Sequence, residues 1–297
     1  MESNRSSLYG GVGIMEPVKF DLVDRRCIVT GASSGIGKEI ARNLAYFGAT
    51  VVLACRNRER GSAALQEIAE DSGNDRLSLL PLDLADPESI RGFVHQVTVG
   101  GKPVHVLVNN AATYLETRET TEAGREMTWA TNALGPFALT NLLSKTLLES
   151  GPTRVVNVAS KLAGGLVLDD LDFEKRRYSG VKAYKQSKQA NRMLSWGLQT
   201  RIGETVSVTS CHPGGVNTRI YDNLSGIAAA VMKVGRRFMR TPAEGARTPT
   251  RLAADPELGK LRAEFWIDEA PATCKFRDRA AIDALWTKCV ELTHTDL

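Results

Sequence analysis

The chain has 297 residues, 42% hydrophobic and 24% charged, ordinary globular values that exclude a collagen-like, low-complexity or wholly disordered polymer. Its 38 basic and 34 acidic residues leave a net charge of +4, too small and too dispersed to imply a nucleic-acid partner. No run approaches the roughly 20 apolar residues of a membrane span, so no integral membrane segment is expected.

The opening MESNRSSLYGGVGIMEP is too polar for a secretory signal. Residues 1–18 read as a flexible polar leader, and residues 19–297 as one domain. Taken in chain order, apolar, β-branched runs at Cys27–Thr30, Thr50–Ala54, Leu77–Leu80, Val104–Val108, Arg154–Val158 and Val206–Ser210 predict six strands. The stretches between them, such as Lys38–Phe47 and Ser62–Glu70, carry apolar residues at helical spacing. Repeated βαβ units join parallel strands, and runs such as VVLA suit a sheet buried on both sides. The expected fold is therefore α/β: a single Rossmann-like, doubly wound parallel sheet flanked by helices on both faces.

Ala123–Glu149 reads as a long helix, bent or interrupted at Pro136, and Lys182–Arg201 as another. Thr241–Ala254 reads as a third, with Thr241 as cap and Pro242 at the first helical position. Lys161–Gly180 and Asn217–Arg240 look irregular, and long insertions in a compact α/β fold carry function. Ala228–Val234 with Arg236, Arg237 and Arg240 reads as a lid over a substrate, within an insertion at about 217–240, or as a membrane-surface patch.

Cys27, Cys55, Cys211, Cys274 and Cys289 are odd in number and show no zinc spacing. They are expected to be buried, reduced thiols, which points to a reducing, cytoplasmic location and to no metal. His95, His105, His212 and His294 have no base or metal partner in the pattern and read as structural.

The first strand runs into TGASSGIG, which puts Gly31, Gly35 and Gly37, with Ser33, Ser34 and Ile36, in the turn that opens the first helix. Glycines there let the backbone approach a pyrophosphate, and the helix N-terminus offers free N–H donors, so a dinucleotide is the natural ligand. The spacing is Gly-x-x-x-Gly-x-Gly rather than Gly-x-Gly-x-x-Gly, so its place between strand and helix carries the reading. The second strand ends in ACRNR, where Arg56 stands in place of the acid that would bind a free ribose 2′-hydroxyl. An arginine suits a 2′-phosphate, hence NADP(H).

Asp83 and Leu84 follow the third strand, where Asp83 can accept from an adenine amino group or cap the next turn. Asn109, Asn110, Ala111 and Ala112 follow the fourth strand, at the carboxyl edge where open parallel sheets bind ligands. Ser160 ends the fifth strand. Tyr184 and Lys188 in YKQSK are four residues apart, on one helix face, so the ammonium can stabilise a tyrosinate. Tyr178 with Lys182 repeats the spacing, but in what looks like a loop.

In this order TGASSGIG, NNAA, Asn132 in TNALGPF, NVAS, YKQSK and HPGGVNT resemble the short-chain dehydrogenase/reductase family over about residues 22–293. The narrower likeness is to its retinol dehydrogenase and WW-domain oxidoreductase branch, through ACRN, LDDLDFE in the long Ser160–Tyr184 interval, TPAEGA and ALWTKCVEL. The resemblance implies that Ser160 holds a substrate carbonyl, Tyr184 donates the proton in reduction, and Lys188 binds the nicotinamide ribose. It implies that Asn132 orders a water in the proton path, that Pro213, Gly214, Val216 and Thr218 flank the nicotinamide, and that the long helices pair subunits into a homodimer or homotetramer. Two departures are Ala112 in place of the family's glycine and Ala159 before Ser160. The branch often carries an N-terminal membrane anchor, which this polar leader does not resemble.

The function expected is an NADPH-dependent oxidoreductase that interconverts a carbonyl and an alcohol on a small apolar molecule. Two competing readings are reduction of a conjugated C=C bond and a non-catalytic NADP-binding scaffold. Ser160, which can polarise an oxygen, favours the carbonyl, and the retained tyrosine argues against the scaffold.

Overall fold

A computed structural model describes residues 20–217 and 239–297. The strands are β1 (Arg26–Thr30), β2 (Thr50–Cys55), β3 (Leu77–Pro81), β4 (Val106–Asn109), β5 (Thr153–Val158), β6 (Val206–His212), β7 (Glu264–Ile267) and β8 (Ala270–Ala272). They form one sheet in the order β3-β2-β1-β4-β5-β6-β7-β8. β1 to β7 are parallel, and β8 returns antiparallel on β7. The six expected strands are all present. β7 and β8 are additions, and the antiparallel β8 corrects an all-parallel reading; both are short, and Pro271 lies within β8 at the sheet edge, where a missing N–H costs least.

The chain lays strands outward from β1 through β2 to β3, then restarts at β4 on the other side of β1. That reversal opens a crevice at the carboxyl ends of β1 and β4. Strand residues alternate between two cores. Ile28, Val52, Leu107 and Val155 face one side, against helices α3 (Pro87–Thr98), α5 (Gly135–Glu149), α6 (Gly180–Gln199) and α8 (Arg279–Thr293). Cys27, Val29, Val51, Leu53 and Val108 face the other, against α1 (Gly35–Tyr46), α2 (Arg58–Ser72) and α7 (Pro242–Ala254). All five cysteines are buried in these layers; burial pushes the Cys27 and Cys211 thiols up to about 12, as expected of apolar filler. No helix among the described residues is long and apolar enough to cross a membrane.

Helix starts follow local chemistry. Asn57 and Asp86 cap α2 and α3, and Thr241 with Glu244 forms the expected capping box of α7, with Pro242 in its first turn. The long central helix begins later than Ala123: the Glu126 side chain accepts from the amides of Thr128 and Trp129, which fixes the start of α4 (Met127–Trp129). A π turn, Ala130–Leu134, then joins α4 to α5. Pro136 has no N–H for the Asn132 carbonyl, so the ladder widens there: the Gly135 amide reaches back five residues to Ala130, and the Asn132 carbonyl accepts a 3.4 Å bond from Asn191 Nδ2.

Candidate active site

A cleft of about 890 Å³ occupies the crevice. At one end lies the glycine turn. Gly31 has φ +67°, a left-handed conformation, and a Cβ there would stand 2.9 Å from the Ala111 Cα. A Cβ on Gly37 would stand 2.4 Å from Asn110 Nδ2 and 2.5 Å from the Gly31 oxygen. Ser34 sits at the N-cap of α1 with no cap bond from its side chain, and the first turn carries no acid. Ser33, Ser34, Gly35, Ile36 and Gly37 all line the cleft, so the helix start presents its amides and partial positive charge to it. A cradle with no room for side chains, ending in unclaimed donors, fits a pyrophosphate.

Arg56 follows β2 at the cleft with its side chain 68% exposed, 3.9 Å from Asp83 Oδ2. Asp83 uses its other oxygen to accept from the Ala85 amide at 2.9 Å, so it does cap the turn after β3 while one oxygen faces Arg56. Leu84 lines the same wall, and its carbonyl lies so near Gly135 that a Cβ would approach to 2.1 Å. Asn57 and Arg60, which sequence reasoning passed over, also line this end; the signal was present as a cap, since Asn57 Oδ1 accepts from the Arg60 amide at 2.8 Å and so sets that turn.

After β4 the two asparagines divide. Asn109 turns inward to Thr140 and Asn157. Asn110 crosses to β1, donating to the Thr30 carbonyl at 2.9 Å, while the Thr30 hydroxyl accepts from the amides of Asn110 and Ala111. This tie holds Asn110, Ala111 and Ala112 flat along the cleft wall.

Ser160, Tyr184 and Lys188 line the same cleft. Ser160 is buried at the end of β5, and its Oγ accepts from the Leu162 amide at 3.0 Å. Tyr184 packs edge-on to Tyr114, ring centroids 6.1 Å apart. Lys188 is 2% exposed; its Nζ donates to the Val158 carbonyl at 2.9 Å and stands 5.7 Å from the Tyr184 ring centroid. Burial pulls its pKa down to about 8, with a smaller opposing effect from Cys211. Asn132 does not line the cleft but stands behind it. Its Oδ1 accepts from the Thr113 amide at 2.7 Å and its Nδ2 donates to the Thr113 carbonyl and to Ser187 Oγ, so it fixes a stretch of the wall.

Pro213, Gly214, Gly215 and Val216 line the cleft too, with His212 beside them, and Val216 stands near Ile36 of the glycine turn. The loop is pinned by a bridge between Val216 and Arg240, and Arg240 pairs with Asp268 at 2.5 Å. Burial, reinforced by Lys161, holds His212 down to about 4, so it stays neutral near pH 7. Thr218 and most of the 217–240 insertion lie outside the described residues, as does the leader.

The 161–179 stretch is irregular, as expected, yet heavily bonded. The Asp170 carboxylate accepts from the amides of Glu174, Lys175 and Arg176 and from the Arg176 guanidinium. Asp172 pairs with Arg125 at 2.6 Å and accepts from the Glu126 amide. Tyr178 bonds Glu126 at 3.1 Å and does not line the cleft; burial first and the Glu126 charge next push its pKa up. Thr113, Leu115, Met127, Thr131 and Leu162 also line the cleft; Leu162 falls in the Lys161–Gly180 stretch expected to carry function and Met127 and Thr131 in the expected long helix, but none of the five was named as a site residue.

The short chain dehydrogenase family profile matches residues 25–226, and the chain belongs to that family. It is 38% identical over 284 residues to polyprenol dehydrogenase of Mus musculus, covering 91% of this chain and 84% of that protein. It is also 38% identical over 270 residues to retinol dehydrogenase 11 of Mus musculus, covering 89% and 85%. These likenesses place it in the retinol dehydrogenase branch. A solved structure of a blue fluorescent protein from a metagenomic library, in complex with NADPH, matches with TM-score 0.65 and 28% identity over 84% of this chain and 98% of that one.

Proposed function

We propose that the protein is an NADP(H)-dependent oxidoreductase that interconverts a carbonyl and an alcohol on a small apolar molecule. The observation that carries the reading is that Tyr184 and Lys188 leave one face of α6 into the cleft that holds Ser160 and the glycine turn. Gly31, Gly35 and Gly37, with the α1 amides, hold the pyrophosphate; Asp83, Leu84, Asn110, Ala111 and Ala112 flank the adenosine and ribose. Arg56, helped by Arg60, receives the ribose 2′-phosphate. Pro213, Gly214 and Val216 border the nicotinamide. A reduced nicotinamide bound there supplies hydride.

The protein's part is orientation and acid–base chemistry. Because Ser160 Oγ already accepts from Leu162, its hydrogen is left to donate to the substrate oxygen. The Tyr184 phenol delivers its proton to that oxygen as negative charge develops. The Lys188 ammonium, charged below about pH 8, stabilises the phenolate that remains. Asn132 keeps Thr113, and with it that part of the cleft wall, in place. Leu115, Met127 and Leu162 suit an apolar substrate, as do the polyprenol and retinol in the names of the relatives. Incubation with NADPH and a panel of apolar aldehydes and ketones should consume the cofactor, and Tyr184→Phe should bind NADPH as before while losing nearly all turnover. Unchanged turnover in that variant would reject the mechanism.

A further inference from the structure

Arg192 has no part in the mechanism above, yet it is 5% exposed and lies directly behind the reacting groups, two turns beyond Tyr184 on α6. Its guanidinium lies over the Phe265 ring at 3.6 Å, with Phe276 at 5.0 Å, and Nη1 donates to the main-chain carbonyl of Ser160 at 3.4 Å. Its Nε is buried without a partner among the described residues. Taking a guanidinium out of water is costly unless its surroundings compensate, and here the compensation is two ring faces and one peptide carbonyl. An arginine can stack and donate at once because its charge is spread over a planar fork; an ammonium cannot.

We infer that Arg192 is a positioning residue for Ser160: seated on Phe265 of β7, it holds the Ser160 carbonyl and so sets the direction of the hydroxyl that meets the substrate oxygen. Ser160 is then held from two sides, its carbonyl by Arg192 and its Oγ by the Leu162 amide. The short strand β7, held between β6 and β8, acquires a purpose, since Phe265 pairs in register with Ser210 of β6 and is the platform for the guanidinium.

The inference rests on the carbonyl-reducing role proposed for Ser160, and the test separates the two. Arg192→Met keeps the apolar stem and ring contact but removes the donor; Arg192→Lys, which keeps a donor and charge, is the second variant should the first fold poorly. With a carbonyl that the wild type reduces, Arg192→Met is expected to lower kcat about tenfold with NADPH affinity unchanged, and Arg192→Lys to recover part of the loss. In a Ser160→Ala background the same change should cost less than about twofold, because a residue acting only through Ser160 has nothing left to act on. Wild-type kcat in Arg192→Met, or an equal loss in both backgrounds, overturns the inference. Hydrogen exchange provides an arm free of turnover: the Leu162 amide should exchange about tenfold faster in Arg192→Met, with the core amide of Val208 unchanged. Unaltered protection at Leu162 also overturns the inference. If the wild type reduces no carbonyl, the oxidoreductase reading fails and the exchange result alone decides Arg192.

Discussion

The Arg56 guanidinium stands 3.9 Å from the Asp83 carboxylate across one end of the cleft. With the arginine two-thirds exposed, such a pair is weak and screened, so the cation is available to a stronger anion. A ribose 2′-phosphate would be that anion, and Arg60 stands in the same wall. Arg56→Asp is therefore expected to shift the ratio of kcat/KM values from NADPH toward NADH by roughly one to two powers of ten, the equivalent of one charge-assisted bond. Asp83→Asn, which removes the competing charge, should move the ratio the other way. Equal use of both cofactors by the wild type would dispose of the argument.

Lys188 is a buried ammonium facing a carbonyl, and burial brings its pKa from 10.5 down to about 8. The sign is that of a depressed base: the unfolded chain holds the extra proton between about 8 and 10.5, so this residue makes the fold gain stability as pH rises through that window. For catalysis the direction is opposite, because the charge that favours the Tyr184 phenolate disappears above about 8. A carbon-13 titration of the lysine Cε signals, with Lys188 assigned by its loss in Lys188→Met, should show a midpoint near 8 in the free protein. A midpoint above 10 would mean that the amine is solvated and the desolvation argument wrong.

Where the sequence was informative, one local rule dominated. The first six strands are apolar, β-branched runs set off by helical stretches, and TGASSGIG has one workable position, between β1 and α1. Tyr184 and Lys188 were legible because four residues on a helix is a fixed geometry. β7 and β8 were missed because EFWI and APA are too short for a period, and their pairing depends on contacts with β6 remote in sequence. The π turn was foreshadowed only by Pro136; that the widened ladder draws in Asn191 is a tertiary fact. The Asn132 side chain bonds Thr113 and Ser187, ties between segments remote in sequence that no spacing discloses.

Gly37 tests the cradle by sterics alone. A Cβ there would stand at sub-contact distance from Asn110 Nδ2 and the Gly31 oxygen, and Asn110 is the side chain that ties β4 to the Thr30 carbonyl. Gly37→Ala must displace the turn, the tie or both, at a cost of about 1–3 kcal/mol of overpacking strain. Cofactor affinity should fall by about tenfold or more, read by quenching of tryptophan fluorescence. Gly73→Ala is the control: its φ of +65° strains an alanine through the backbone alone, nothing lies within 4 Å of the added carbon, and it is not part of the cleft lining. It should lose stability and keep cofactor affinity.

The irregular segment after Ser160 is held in shape by one carboxylate. Burial pushes the Asp170 pKa up, but the Arg176 guanidinium and three backbone amides outweigh it and bring it to about 2. Arg176 in turn caps the Asp170 carbonyl, bonds Gln186 on α6 and covers the Phe173 ring at 4.2 Å. Phe173 holds φ +53°, a strained value for an aromatic residue that this net must maintain. Asp170→Ala leaves three amides and a guanidinium without their acceptor, so a loss of roughly 2–4 kcal/mol is expected in urea unfolding at pH 7. The sign with pH follows from a depressed acid: the stabilisation is complete above 3.8 and fades as pH falls toward 2, so wild type and variant should converge in acid. Because Leu162 and Tyr184 flank this segment in the cleft, the variant should also raise KM for the carbonyl while leaving NADPH affinity at the far end unchanged. Equal stability of the two proteins at pH 7 would show that the segment is held by something other than Asp170.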